Sequence, residues 1–168
     1  MNRNALVKLS AGAAMAGGSL RLISSFPWTN DAVTLEWLYA GIDVLLLFGL
    51  LGIYLERAER LGFLGLASFG VAVAALSFIG GPDADPFGFS TYEQGAAVLA
   101  IAMVGLSIAW LRASEKPLAA PLCWFGSVIC AGLLDLIPPL SSYGVILAGA
   151  LFGLGFVFAG SALLRGQP

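Results

Sequence analysis

The sequence lacks histidine, and it contains only two cysteines among its 168 residues. Without imidazole there is no Ser-His-Asp catalysis, no histidine-based haem or quinone site, and none of the usual zinc or copper ligand sets. Cys123 and Cys130 are seven residues apart in one apolar run, so on a helix they share a face about 10 Å apart, too far for a disulfide. We therefore expect two small apolar side chains in a helix interface, with no metal centre and no cofactor.

Charged residues are also scarce, at 11% of the chain, whereas ordinary soluble domains carry roughly 25%. Apolar residues make up 59%. These values exclude a soluble enzyme or binding domain and a disordered chain. The net charge of −2 provides no basic surface for phosphates, which excludes a nucleic-acid partner. The composition favours a protein embedded in lipid, with membrane lipids as partners.

Long apolar runs are present instead, and a helix needs about 20 such residues to cross a bilayer. We distinguish six runs, at residues 5–24, 34–55, 61–80, 93–111, 117–137 and 142–164. The breaks between them are short, and the break at residues 56–60 is a cluster of charges. The sequence therefore predicts an all-α, polytopic transmembrane bundle of about six helices, forming one domain over residues 1–168. The first run contains Lys8 and Arg21, and a cleaved signal peptide is the competing interpretation.

The cations segregate to one side of the predicted membrane. With six spans, the side that holds both termini receives Arg3, Lys8, Arg57, Arg60, Arg112, Lys116 and Arg165. The opposite side receives one cation, Arg21, together with Asp31, Glu36, Asp83, Asp85, Glu93 and Asp135. Because cytoplasmic loops carry the excess of lysine and arginine, we expect a bacterial-type inner (plasma) membrane protein with cytoplasmic termini.

The chain resembles itself at an offset of 56 residues. Gly49-Leu50 aligns with Gly105-Leu106, and Glu59 aligns with Glu115. About eight identities occur over roughly thirty positions, where chance gives about three, and such self-similarity indicates an internal repeat. We predict three tandem helical hairpins at about residues 1–56, 57–112 and 113–168. The competing interpretation is an accidental alignment of leucine, glycine and alanine.

The predicted membrane topology does not explain Asp43, which is therefore a candidate site residue. It lies about nine residues inside its span, roughly 13 Å deep at 1.5 Å per residue. An unpaired carboxylate there costs several kcal/mol, and the repeat places Leu99 at the equivalent position. Asp43 is either a proton or cation coupling site, a polar anchor for an amphiphilic ligand, or a structural acid that hydrogen-bonds a neighbouring helix.

Four further charges lie within about one turn of the outer ends of four predicted spans. They are Arg21, Glu36, Glu93 and Asp135. We expect Arg21 to pair with Glu36 first and with Asp135 second. The cluster is either an ion pair that ties helices together or an acidic vestibule that concentrates cations.

Two short motifs have a structural interpretation. Gly149-x-x-x-Gly153 allows close helix packing, either within the chain or in a homo-oligomer. Residues 83–88 begin like a calcium loop, but Phe87 and Gln94 stand where ligands are needed, so we predict a turn.

The sequence disfavours an enzyme because it has no nucleophile with a base, no suitably spaced carboxylate pair and no phosphate-binding loop. We expect a structural, accessory, lipid-binding or partner-binding module without catalytic activity, with a homo-oligomer or a membrane complex as its assembly. The alternative is a small transporter or channel in which Asp43 couples protons or cations. The predicted cytoplasmic halves of the spans are almost wholly apolar, which leaves no polar path through them.

Overall fold

Five α-helices and a one-turn 3₁₀ helix make up most of residues 3–29, 31–79 and 90–166, the parts of the chain that the computed structural model describes. No strand occurs in these parts. The helices are α1 (Arg3–Ser24), α2 (Ala32–Ile79), α3 (Thr91–Arg112), α4 (Ala119–Asp135) and α5 (Ser141–Leu164). Four of them are long and apolar enough to cross a membrane, while α4, with 17 residues, is shorter.

Helix α2 differs from the prediction. The charged residues 56–60 were expected to break it, but they are helical, and the interruption is Gly62 alone. Gly62 has φ 62° and ψ −162°, a combination that is essentially restricted to glycine. The rings of Tyr54 and Phe69 stack at 4.1 Å, although fifteen residues of straight helix would separate their Cα atoms by about 22 Å. The chain therefore turns back on itself at Gly62.

The two halves of α2 pack on different neighbours. Residues 32–61 run antiparallel to α1, with Gly49 against Ala14 and Gly52 against Ser10. Residues 63–79 run antiparallel to α3, where Gly105 lies against Ser68. Close approaches of this kind replace hydrophobic burial as the force that joins helices in lipid.

Helix α5 joins the C-terminal helices to the N-terminal one. It runs antiparallel to α4, with Gly155 against the indole of Trp124. It also runs antiparallel to α1, where the backbones of Gly18 and Gly153 meet. Because neighbouring helices are antiparallel, the helix termini and the turns between them lie at two opposite ends of the bundle. The acidic end carries Asp31, Glu36, Glu93 and Asp135, and the basic end carries Lys8, Arg57, Arg60, Arg112, Lys116 and Arg165.

Large apolar side chains cover the outside of the bundle. Trp37, Phe63, Ile101 and Leu136 are each at least 72% exposed. A soluble monomer rarely exposes so many large apolar side chains. The surface is therefore compatible with a membrane protein.

Candidate functional site

A cavity of about 300 Å³ opens from the acidic end toward the middle of the bundle. All five helices contribute to its wall. Its polar side chains are Arg21, Tyr39, Asp43, Tyr92 and Ser127. Its larger apolar side chains are Leu46, Ile79, Leu99, Met103, Val145 and Phe152. We call this space the acidic-end cavity.

The packing of α1 on α2 brings Arg21 and Asp43 to the same cavity. Gly17 lies against Leu45 and Leu46, so the next turn of α1 places Arg21 beside the turn of α2 that holds Tyr39 and Asp43. The Arg21 guanidinium lies over the Tyr39 ring, 5.6 Å from its centroid. Such a contact between a cation and an aromatic face contributes roughly 0.5–2 kcal/mol. Arg21 and Asp43 are both half-buried, so both charges are partly withdrawn from solvent.

The other charges predicted to join Arg21 lie elsewhere. Glu36, Glu93 and Asp135 are exposed and do not line the acidic-end cavity. Among the described residues, Arg21 forms no ion pair with Glu36 or Asp135, because its side chain lies over Tyr39 instead. The structure thus brings together two of the five predicted coupling residues, Arg21 and Asp43.

Two of the acidic residues at this end are placed to stabilise helix starts. The Glu93 backbone N–H donates to Ser90 Oγ at 3.2 Å, and Glu93 lies in the first turn of α3, where the helix dipole favours an acid. Asp31 precedes α2 and accepts a 3.1 Å hydrogen bond from the Thr34 backbone N–H. Its bonds from the side chain and backbone of Thr34 lower the pKa of Asp31 below its usual value.

The glycine motif of α5 packs within the chain. A Cβ at Gly153 would collide with the carbonyl oxygen of Gly18, and a Cβ at Gly149 would collide with Ser25 Oγ. Both contacts are with α1 or the residue that follows it, so the motif fits α5 onto α1.

The sequence did not predict a buried ionic cluster at the basic end, because it placed Arg57 in a charged break between two spans. Arg57 is completely buried on α2, and its Nε lies 3.8 Å from Glu115 Oε2. Arg57 Nη2 also donates to the Lys116 carbonyl oxygen at 3.3 Å, and its guanidinium lies 4.4 Å from the Trp110 ring centroid. Arg60 Nε lies 3.2 Å from Glu115 Oε1, so one carboxylate serves two guanidiniums.

Three aromatic side chains pack together in the core next to this ionic cluster. Trp110, Trp124 and Phe156 have no exposed surface. The centroid of the Trp124 ring lies 5.8 Å from that of Trp110 and 5.2 Å from that of Phe156, in edge-to-face geometry. Phe152, which lines the acidic-end cavity, packs against Phe156 at a centroid distance of 5.3 Å, so the aromatic layer lies next to the inner part of this cavity.

The remaining sequence predictions concern metals and cysteines. Cys123 and Cys130 are both free and half-buried on α4. Within residues 3–29, 31–79 and 90–166, no three metal-ligating side chains form a group. The predicted turn at residues 83–88 lies outside the described residues.

The fold thus defines an all-α bundle with four helices suited to a membrane, and its candidate site is a partly apolar cavity with one cation and one acid. No protein-family model matches the chain, and no significant match to it was found among curated proteins or solved structures.

Proposed function

We propose that this protein is an integral inner-membrane protein with six spans, arranged as three tandem hairpins. The reversal at Gly62 supports a division of α2 into two spans, because 48 residues of straight helix would be about 72 Å long, far beyond the roughly 30 Å of hydrocarbon. The two glycines aligned by the repeat, Gly49 and Gly105, both lie at close helix approaches. The grouping of cations at the basic end supports cytoplasmic termini.

Within that architecture, the proposed function is to bind a polar-headed amphiphile in the acidic-end cavity, without catalysis. The observation that carries this proposal is the presence of Arg21 and Asp43 on one wall of a cavity that is otherwise largely apolar. Ligand sites have this composition: apolar walls with a few placed polar groups that fix orientation. A zwitterionic headgroup fits the pair, with its phosphate toward Arg21 and its ammonium toward Asp43.

The aromatic layer favours binding over transport. A conduit from Asp43 to the basic end would pass Trp110, Trp124 and Phe156, whose rings are fully buried against one another. Such a conduit would require the three rings to separate and to lose their contacts with one another, and these contacts make up much of the core at this depth. The cavity is therefore suited to hold a ligand near the acidic end rather than to pass it through the bundle.

The test compares two acid-to-amide substitutions at the same end of the bundle. Protein purified in a neutral detergent is titrated with short-chain phosphatidylethanolamine, and bound lipid is counted by native mass spectrometry. Asp43→Asn should weaken binding about tenfold, because a hydrogen bond to a charged group contributes roughly 1.5 kcal/mol. Glu36→Gln, which changes an exposed acid outside the cavity, should leave binding unchanged.

Two results would contradict the proposal. If Asp43→Asn lowers the thermal midpoint but leaves lipid binding intact, Asp43 is a structural acid. If the wild-type protein in liposomes carries protons or cations in a manner that Asp43→Asn abolishes, the transporter alternative replaces the binding function.

A further inference from the structure

A second cavity, of about 290 Å³, lies at the basic end where α2 reverses. It is lined by Leu61, Gly62, Phe63, Leu64, Ala109 and Ala113, together with Arg60 and Arg112. It shares no lining residue with the acidic-end cavity. We call it the basic-end cavity.

The two charged residues that line the basic-end cavity are both arginines. Glu115 is the carboxylate that pairs with Arg60, and it is shared with the buried Arg57. Arg112 is exposed, and the described part of the chain gives its guanidinium no ion pair or hydrogen bond. Glu56 and Glu59 lie on nearby turns of α2 but do not line the cavity. The lining therefore holds two guanidiniums and no carboxylate, and one of the two guanidiniums has no ion pair, which makes the cavity attractive to an anion.

The surface beside these arginines is apolar. Phe63 forms part of the cavity wall and is 84% exposed, and Leu64 next to it is also exposed. Leu66 and Leu111, on the same pair of helices, are exposed as well. An anionic lipid has this combination of groups, since its phosphate is charged and its acyl chains are apolar, whereas a free phosphate would gain nothing from the apolar wall.

We propose that the basic-end cavity binds the phosphate headgroup of an anionic phospholipid, with Arg60 and Arg112 holding the phosphate and Phe63 and Leu64 contacting the acyl chains. The two cavities would then take lipids of different charge at opposite ends of the bundle. This proposal is independent of the ligand at Arg21 and Asp43, because neither residue lines the basic-end cavity.

The experiment measures binding of phosphatidylglycerol to the purified protein in a neutral detergent, with phosphatidylcholine and inorganic phosphate as separate arms. Arg112→Gln should weaken phosphatidylglycerol binding about fivefold, the change expected for one cation near an anionic lipid. Arg165→Gln is the matched control, since it removes an exposed cation at the same end that does not line the cavity. It should change binding less than twofold.

A second variant tests the cavity rather than the charge. Ala113→Leu adds bulk to the cavity wall and keeps every arginine, so it should also weaken phosphatidylglycerol binding, while Asp43→Asn should not. The proposal is overturned if Arg165→Gln weakens binding as much as Arg112→Gln, which would indicate diffuse surface charge. Equal binding of phosphatidylcholine would overturn it as well. Equally tight binding of inorganic phosphate alone would also overturn it, because that result would indicate a site for a free anion.

Discussion

At the scale of single residues, charges inside apolar runs were the most useful signal in the sequence. Asp43 was selected for its depth in a predicted span and Arg21 as the one cation near the outer ends of the spans, and both line the acidic-end cavity. Tyr39, Tyr92 and Ser127 line the same cavity but were not selected, because neutral polar side chains are common in membrane helices and carry no topological signal. Arg57 was misjudged because its burial depends on Glu115 and Trp110, which are distant in sequence and meet it only in the folded bundle.

The buried pair of Arg57 and Glu115 leads to a prediction about stability. Glu115→Gln removes the carboxylate that serves both Arg57 and Arg60 and leaves a guanidinium with no exposed surface unpaired. Breaking a buried ion pair from one side costs about 3 kcal/mol or more, so the thermal midpoint in detergent should fall clearly.

Glu59→Gln is the control for this measurement. Glu59 occupies the position equivalent to Glu115 in the repeat, but it is exposed, so its substitution should have little effect. The double variant Arg57→Met with Glu115→Gln should recover part of the loss, because the charge that remains without its partner, on Arg60, is exposed rather than buried. Equal midpoints for Glu115→Gln and Glu59→Gln would show that the cluster contributes nothing.

At the scale of secondary-structure elements, hydropathy predicted where helices occur but not where α2 turns. The charged residues 56–60 are good helix formers, so they continue the helix, and the reversal falls at Gly62, where only a residue without Cβ adopts the required backbone angles. The repeat alignment was informative about packing, since Gly49 and Gly105 both meet a neighbouring helix. It was not informative about burial, since Glu59 is exposed and Glu115 is buried.

Gly62→Ala tests the reversal directly. No atom lies within 4 Å of a Cβ built at Gly62, so the cost of the substitution comes from its positive φ alone. That cost is about 1–3 kcal/mol, which corresponds to a fall in the thermal midpoint of roughly 2–4 °C per kcal/mol for a chain of this size. Gly70→Ala is the matched control, because Gly70 is helical, lies in α2 and also faces open space. It should raise the midpoint or leave it unchanged. If Gly62→Ala lowers the thermal midpoint no more than Gly70→Ala does, the chain reversal at Gly62 is contradicted.

At the scale of the whole molecule, the bundle is asymmetric along its axis. The acidic end contains a cavity that reaches down to Met103 and Phe152, whereas the interior of the basic end is filled by two indoles and a guanidinium. The sequence predicted the two ends from the placement of charge. It could not predict which end holds a cavity lined by all five helices, because that depends on how their side chains fill the shared interior.

The proposed topology predicts which positions face each side of the membrane. In a background without Cys123 and Cys130, Asp135→Cys and Glu36→Cys should react with a membrane-impermeant maleimide added to intact cells. Glu59→Cys and Arg165→Cys should react only after the membrane is permeabilised, because they lie at the basic end. Reaction of Glu59→Cys and Asp135→Cys from the same side would rule out six spans.

The pairing of Arg57 with Glu115 also has a consequence for the order of assembly. Glu115 follows Arg57 by 58 residues, so at about 5–20 residues per second the carboxylate is synthesised roughly 3–12 s after the guanidinium. In the membrane topology that we propose, the headgroup region would hydrate Arg57 during that interval, before Glu115 provides a counterion. The ionic cluster at the basic end can therefore form only after α3 and the residues that follow it have been synthesised, because they contribute Trp110 and Glu115.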